Sequence, residues 1–216
     1  MADSSVDLED LLVNVCDPDD PTPRQLLVIF QDIVARLNAQ GLSYAVLGRI
    51  ALANYAEPQY VSEIEIVAAL HEIEPEHTAT LVHQTRAQFA MHMDQRTRTN
   101  AISLSLRNCT GLVETKLLTE ATTCTWLGIT TRLASPEHLL WLWCLSHAPD
   151  HGADAVALIR GNAVNLQRVQ SLLREVDDVE EIAQGRLRMA IGEAVLATEF
   201  SFSRYMEERR SCLKPD

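Results

Sequence analysis

Two glutamates one residue apart, Glu63 and Glu65, lie within the apolar run from Val61 to Ala68, VSEIEIVA. Successive side chains of a strand point to opposite faces, so this spacing predicts Glu63 and Glu65 on one face and Ile64 and Ile66 on the other. Two carboxylates that close cannot both be charged cheaply unless a cation stands between them. A hard divalent ion such as Mg²⁺ supplies that cation, and two-metal phosphoryl transfer uses acidic clusters of this kind. Alternation alone is also what a solvated sheet face looks like, and that plain alternative stands beside the metal site. His147 and His151 have the four-residue spacing of a helical metal pair, but Pro149 lies between them and no Glu follows His147. They read as capping or surface histidines rather than a zinc site. The chain contains no Walker loop, dinucleotide fingerprint or serine nucleophile elbow.

The elements that must position the glutamates follow from periodicity and punctuation. Thr22-Pro23 is a helix start, and Leu26, Leu27, Phe30, Ile33, Val34 and Leu37 recur at helical spacing until Gly41 ends the run. Leu42 to Leu47 reads as a strand stopped by Gly48. The following RIALANYA has the small residues of a short helix packed closely on a sheet, and Glu57-Pro58 ends it. Val61 to Ala68 is the second strand. A helical stretch is expected after Glu74-Pro75 to about Ala90, then a hairpin from the segments around Met91 to Met93 and Ala101 to Arg107. Gly111 to Ala121 reads as helix and Thr125 to Leu133 as one extended segment. Ser135-Pro136-Glu137 opens a tryptophan-bearing helix, followed by helices over Gly152 to Arg160, Val164 to Val176 and Val179 to Phe200, then a polar tail. The expected class is α+β, a mixed β-sheet flanked by helices and followed by a helical C-terminal half. Its divisions are an acidic, flexible arm at 1–20, an α/β core at 21–134 and a helical region at 135–216.

At 216 residues the chain can bury about 70% of the surface its unfolded form exposes, enough for a full core without disulfide staples. The five cysteines are odd in number and form no C-x-x-C pair, which together with an N-terminus lacking a basic-then-apolar leader points to a reducing cytoplasm. The longest apolar run, Leu139 to Leu145, is far too short to span a bilayer and reads as a buried helix that includes Trp141 and Trp143. A net charge of −12 repels polyanions and argues against broad DNA or RNA capture. The stretch from Gln84 to Asn108 runs the other way, with Arg86, Arg96, Arg98 and Arg107 against Asp94 alone. Its plain reading is a solvated surface.

The run VLGRIALANYAEPQYVSEIEIVAAL, Val46 to Leu70, resembles the core motif of the minimal nucleotidyltransferases and the abortive-infection nucleotidyltransferase-like proteins. Those families carry a strand, a Gly-Gly or Gly-Ser turn, a small-residue helix with a Tyr-Gly-x-Pro-Arg-like exit, and a strand bearing Asp-x-Asp. Gly48-Arg49 stands at the turn, Tyr55-Ala56-Glu57-Pro58-Gln59 at the exit, and Glu63-Ile64-Glu65 where the metal-binding pair belongs. SPEHLLWLW and DHGADAVALI are similar to two later helices of the family. The resemblance implies a nucleotidyltransferase-like fold, a nucleotide site at Gly48 and Arg49, and Mg²⁺ at Glu63 and Glu65 if the centre is active.

The departures from the pattern matter for function. Arg49 replaces the second small residue of the turn, where the backbone approaches the triphosphate. Glu in place of Asp moves each oxygen outward by about 1.5 Å, one C–C bond, and Mg²⁺ tolerates poor octahedral geometry badly. A third acid on a later strand has no equivalent: Ser103 and Ser105 occupy the corresponding positions, and Glu114 falls in an expected helix. The family's exit Arg is Gln59. Three readings follow. The chain is a catalytically degenerate module that binds a protein partner or itself, with the 1–20 arm as an interaction segment and no cofactor. Or it is an active, toxin-like Mg²⁺ enzyme that transfers a nucleoside monophosphate from an NTP to a protein or RNA hydroxyl. Or it senses nucleotides without transfer, using Arg49 on the phosphates.

Overall fold

The computed structural model describes residues 22–56, 61, 63–74, 76–83, 103–126, 128–146, 151–176 and 180–212. The chain divides into two compact units, one running to Asn54 and again from Pro58 to Ser135, the other comprising Tyr55–Glu57 and the residues from Pro136 onward.

Among the described residues the first unit is built on a five-stranded mixed sheet of order β3-β2-β1-β5-β4. Its strands are β1 (Tyr44–Val46), β2 (Glu63–Ala68), β3 (Ser103–Asn108), β4 (Thr122–Trp126) and β5 (Ile129–Leu133). β1 runs antiparallel to β2 and parallel to β5, and β2 runs parallel to β3. Helix α1 (Thr22–Ala39) precedes the sheet. Along it Leu26, Phe30, Ile33, Val34 and Leu37 are buried, as the helical spacing predicts, while Ile29 is buried in addition and Leu27 is only half-buried. Its last turn is tied to the sheet: Asn38 Nδ2 donates to the Thr130 carbonyl at 3.2 Å, and the buried Tyr44 hydroxyl donates to Asn38 Oδ1 at 3.1 Å. Without those partners a buried phenol would lose its hydrogen bonds to water.

Helix α2 (Gly48–Leu52) follows β1 at once and packs on β2. A 3₁₀ turn at Leu70–Glu72 and helix α3 over 76–83 follow β2. Helix α4 (Leu112–Glu120) packs on β1 and β2 through the buried Leu117 and Leu118. Its C-terminal turn is closed from the sheet, where Arg132 Nη2 donates to the Leu118 carbonyl at 2.8 Å, satisfying one of the acceptors every helix end leaves open.

The second unit is helical: α5 (Pro136–Leu145), α6 (His151–Arg160), α7 (Leu166–Leu173) and α8 (Glu180–Cys212). The run LLWLWCL lies in α5, with Trp141 fully buried and Trp143 nearly so, as the sequence predicts. Asn165 caps α7, accepting from the Gln167 and Arg168 amides at 3.1 and 3.2 Å, while its own amide donates to Glu137 Oε1 at 2.8 Å. Among the described residues no helix is long and apolar enough to cross a membrane.

Two local expectations change. The segment read as one extended stretch from Thr125 to Leu133 is a hairpin: β4 and β5 pair antiparallel from Thr122↔Leu133 to Trp126↔Ile129. Gly128 sits at φ +74°, the left-handed backbone that a tight reversal needs and that only glycine adopts without strain. The polar tail expected after Phe200 is helical to Cys212, because its Glu, Arg and Met residues are good helix formers whatever their polarity. Of the hairpin expected from the segments around Met91 to Met93 and Ala101 to Arg107, the second arm supplies β3, which pairs parallel with β2; the first arm lies outside the described residues. So do the acidic 1–20 arm, the exit residues Glu57, Pro58 and Gln59, His147, and Arg86, Arg96 and Arg98.

Candidate functional site

The strand pattern of β2 puts Glu63 exposed and Glu65 half-buried on one face, with Ile64 and Ile66 fully buried on the other. The predicted separation of faces therefore holds for this strand. In register, Glu63 stands opposite Ser103, Glu65 opposite Ser105 and Val67 opposite Arg107. Ser103, Ser105 and Arg107 accordingly share the face of the two glutamates.

Gly48 forms the floor beside Glu65. The Leu47 amide donates to the Glu65 carbonyl at 2.8 Å, which carries the β1–β2 pairing one residue further and lays the turn against the second glutamate. Gly48 has φ +61°, and a Cβ built there would overlap Glu65 Oε1 and stand 3.0 Å from Glu65 Cδ. Glycine is required twice over, by the left-handed backbone and by the carboxylate lying on it. Arg49 is half-buried in α2.

The other Glu65 oxygen faces a cation that this chain supplies. Arg107 Nη2 lies 3.5 Å from Glu65 Oε2. Arg107 projects from β3, two residues beyond Ser105, and its guanidinium reaches back along the strand face to the carboxylate. The pair is partly solvated, so its net stabilisation is small, about 1 kcal/mol or less. The carboxylate thus lies between the Gly48 backbone and the Arg107 guanidinium. Glu114, the other acid considered for this region, lies in α4 with its carboxylate over Gly111. Among the described residues no group of three or more His, Cys, Asp or Glu side chains is placed to hold a metal ion. Among the described residues two glutamates, two serines and an arginine share the face, and the arginine stands against one of the carboxylates.

No protein-family model matches this chain, and no curated protein matches it. Among the solved structures it resembles is one of an antigenic nucleotidyltransferase-like protein from Paracoccidioides brasiliensis. The likeness has a TM-score of 0.47 and 16% identity, covering 76% of this chain and 94% of that one.

Of the residues singled out from sequence, Gly48, just after β1, lies against Glu65 near the start of β2, with Glu63 two residues before it on the same face and Arg49 in the first turn of the helix that follows. Arg107 was seen only as one member of a basic stretch. Its period-two relation to Ser103 and Ser105 was the available signal, since residues 103, 105 and 107 of one strand share a face.

Proposed function

We infer that the chain is a nucleotidyltransferase-fold protein whose transfer centre has been lost and which acts as a non-catalytic interaction or regulatory module. The fold reading is supported by the order of elements through the motif: β1, a left-handed glycine turn, the short helix α2, and β2 carrying an acidic pair. The functional reading rests on one observation, the Arg107 guanidinium against the Glu65 carboxylate. In a two-metal centre, divalent cations neutralise clustered carboxylates and the transferring phosphoryl group together. Here a side-chain cation stands against Glu65 and the register partner of Glu65 is Ser105, so an incoming ion meets a positive charge and, among the described residues, no third carboxylate.

The test is incubation of the full chain with each radiolabelled NTP in Mg²⁺ or Mn²⁺. The expected result is no labelling of the protein or of an added tRNA pool. Metal-dependent labelling that disappears in the Glu63→Gln/Glu65→Gln variant would refute the reading and establish an active nucleotidyltransferase.

A further inference from the structure

Helix α8 has two faces of different fate. Ala183, Leu187, Ala190 and Ala194 are buried, and through them α8 packs on α5, α6 and α7. On the opposite side Ile182, Met189 and Leu196 are 58%, 66% and 64% exposed. These three are seven residues apart, and Gly185 and Gly192 fall between them with the same period. A Cβ on either glycine would meet nothing within 4 Å. The outer face therefore reads as two heptads, with large apolar residues at one seam position and glycine at the other, a pattern that lets a second helix approach closely.

The charges flanking this seam say which helix. We propose that two copies of this chain associate through α8, side by side, parallel and in register. In that arrangement the three large residues each meet their own counterpart. Residues that flank a parallel seam pair five positions apart, which sets Arg188 against Glu193 of the other copy and Glu181 against Arg186 of the other copy. Both pairs are of opposite sign. The first is unencumbered, since Arg188 and Glu193 are both exposed; the second shares Arg186 with the carbonyls of Cys144 and Ser146. Of the antiparallel registers that seat Met189 against a glycine, the one against Gly185 carries Leu196 past the helix start at Glu180 and sets Arg186 against Arg186 and Arg188 against Arg188.

The association is independent of chemistry at Glu65, and its test does not involve that site. Sedimentation velocity of the full chain should show a concentration-dependent dimer. Met189→Glu places a carboxylate on the seam of both copies and should raise the dissociation constant about tenfold or more, as loss of a central interface anchor does. Because Met189 is exposed, the far-ultraviolet circular dichroism of this variant should match that of the parent. Ile182→Cys tests orientation: under mild oxidation it should cross-link more than the parent chain. In the antiparallel registers the two backbones at position 182 stand at least ~15 Å apart along the axis, beyond the reach of a disulfide. A parent chain that remains monomeric up to about 100 μM, or a Met189→Glu variant that dimerises as well as the parent, overturns the proposal. A dimeric Ile182→Cys variant without added cross-linking overturns the parallel register.

Discussion

Replacing Gly48 by Ala isolates what holds the turn after β1 in place. Two costs enter. The backbone at φ +61° is the left-handed region, where an L-residue with a Cβ is strained by about 1–2 kcal/mol. The new methyl would also overlap Glu65 Oε1, the far end of a flexible side chain, so the carboxylate yields by rotating away. That rotation gives up the contact to Arg107 at 3.5 Å, a partly solvated pair contributing about 1 kcal/mol or less. The total is about 1–3 kcal/mol. For a 216-residue chain that corresponds to a fall in Tm of roughly 2–12 °C. The two parts separate in a double-mutant cycle by urea unfolding at neutral pH. On a Glu65→Ala background the overlap is gone, and Gly48→Ala should cost only the backbone strain, leaving a coupling of about 0.5–1 kcal/mol between the positions. Additive effects would show that the Glu65 carboxylate does not lie on Gly48. A Gly48→Ala cost below about 0.5 kcal/mol would show that the turn is not held in the left-handed region.

Two further perturbations concern the helical unit. Burial pushes the Cys144 thiol from 9.0 up to about 12, with the nearby Arg186 guanidinium pulling the other way. A thiol that holds its proton more tightly when folded contributes stability that is full below pH 9 and is lost as pH rises toward 12. Relative to Cys144→Ala, the parent should therefore lose stability with a slope of up to ~1.4 kcal/mol per pH unit across that window. Parallel stability curves for the two proteins between pH 9 and 11 would refute the assignment. Arg186 Nη1 donates to the Cys144 carbonyl at 2.8 Å and to the Ser146 carbonyl, satisfying acceptors at the end of α5. Arg186→Ala should cost about 2–3 kcal/mol of unfolding free energy in urea, whereas an exposed surface arginine should cost under about 0.5 kcal/mol.

What the sequence determined by itself is what short-range periodicity encodes. The helical spacing from Leu26 to Leu37 names the buried face of α1, and the alternation from Glu63 to Ile66 separates the carboxylates from the core, because both depend only on the geometry of one element. Pro and Gly punctuation placed the starts of α1 and α5 and the turn at Gly48. The Thr-rich β4–β5 hairpin was less legible, since uniform strand preference on both sides of Gly128 reads as one segment until the reversal is seen. The character of the candidate site was decided only by tertiary structure. Glu65 and Arg107 are far apart along the chain and meet because β2 and β3 pair in parallel with Glu65 opposite Ser105. Strand register is set by the packing of whole faces against their helices, a property that no local pattern carries. The sequence could therefore present two glutamates as metal ligands, and only the fold brought an arginine to one of them.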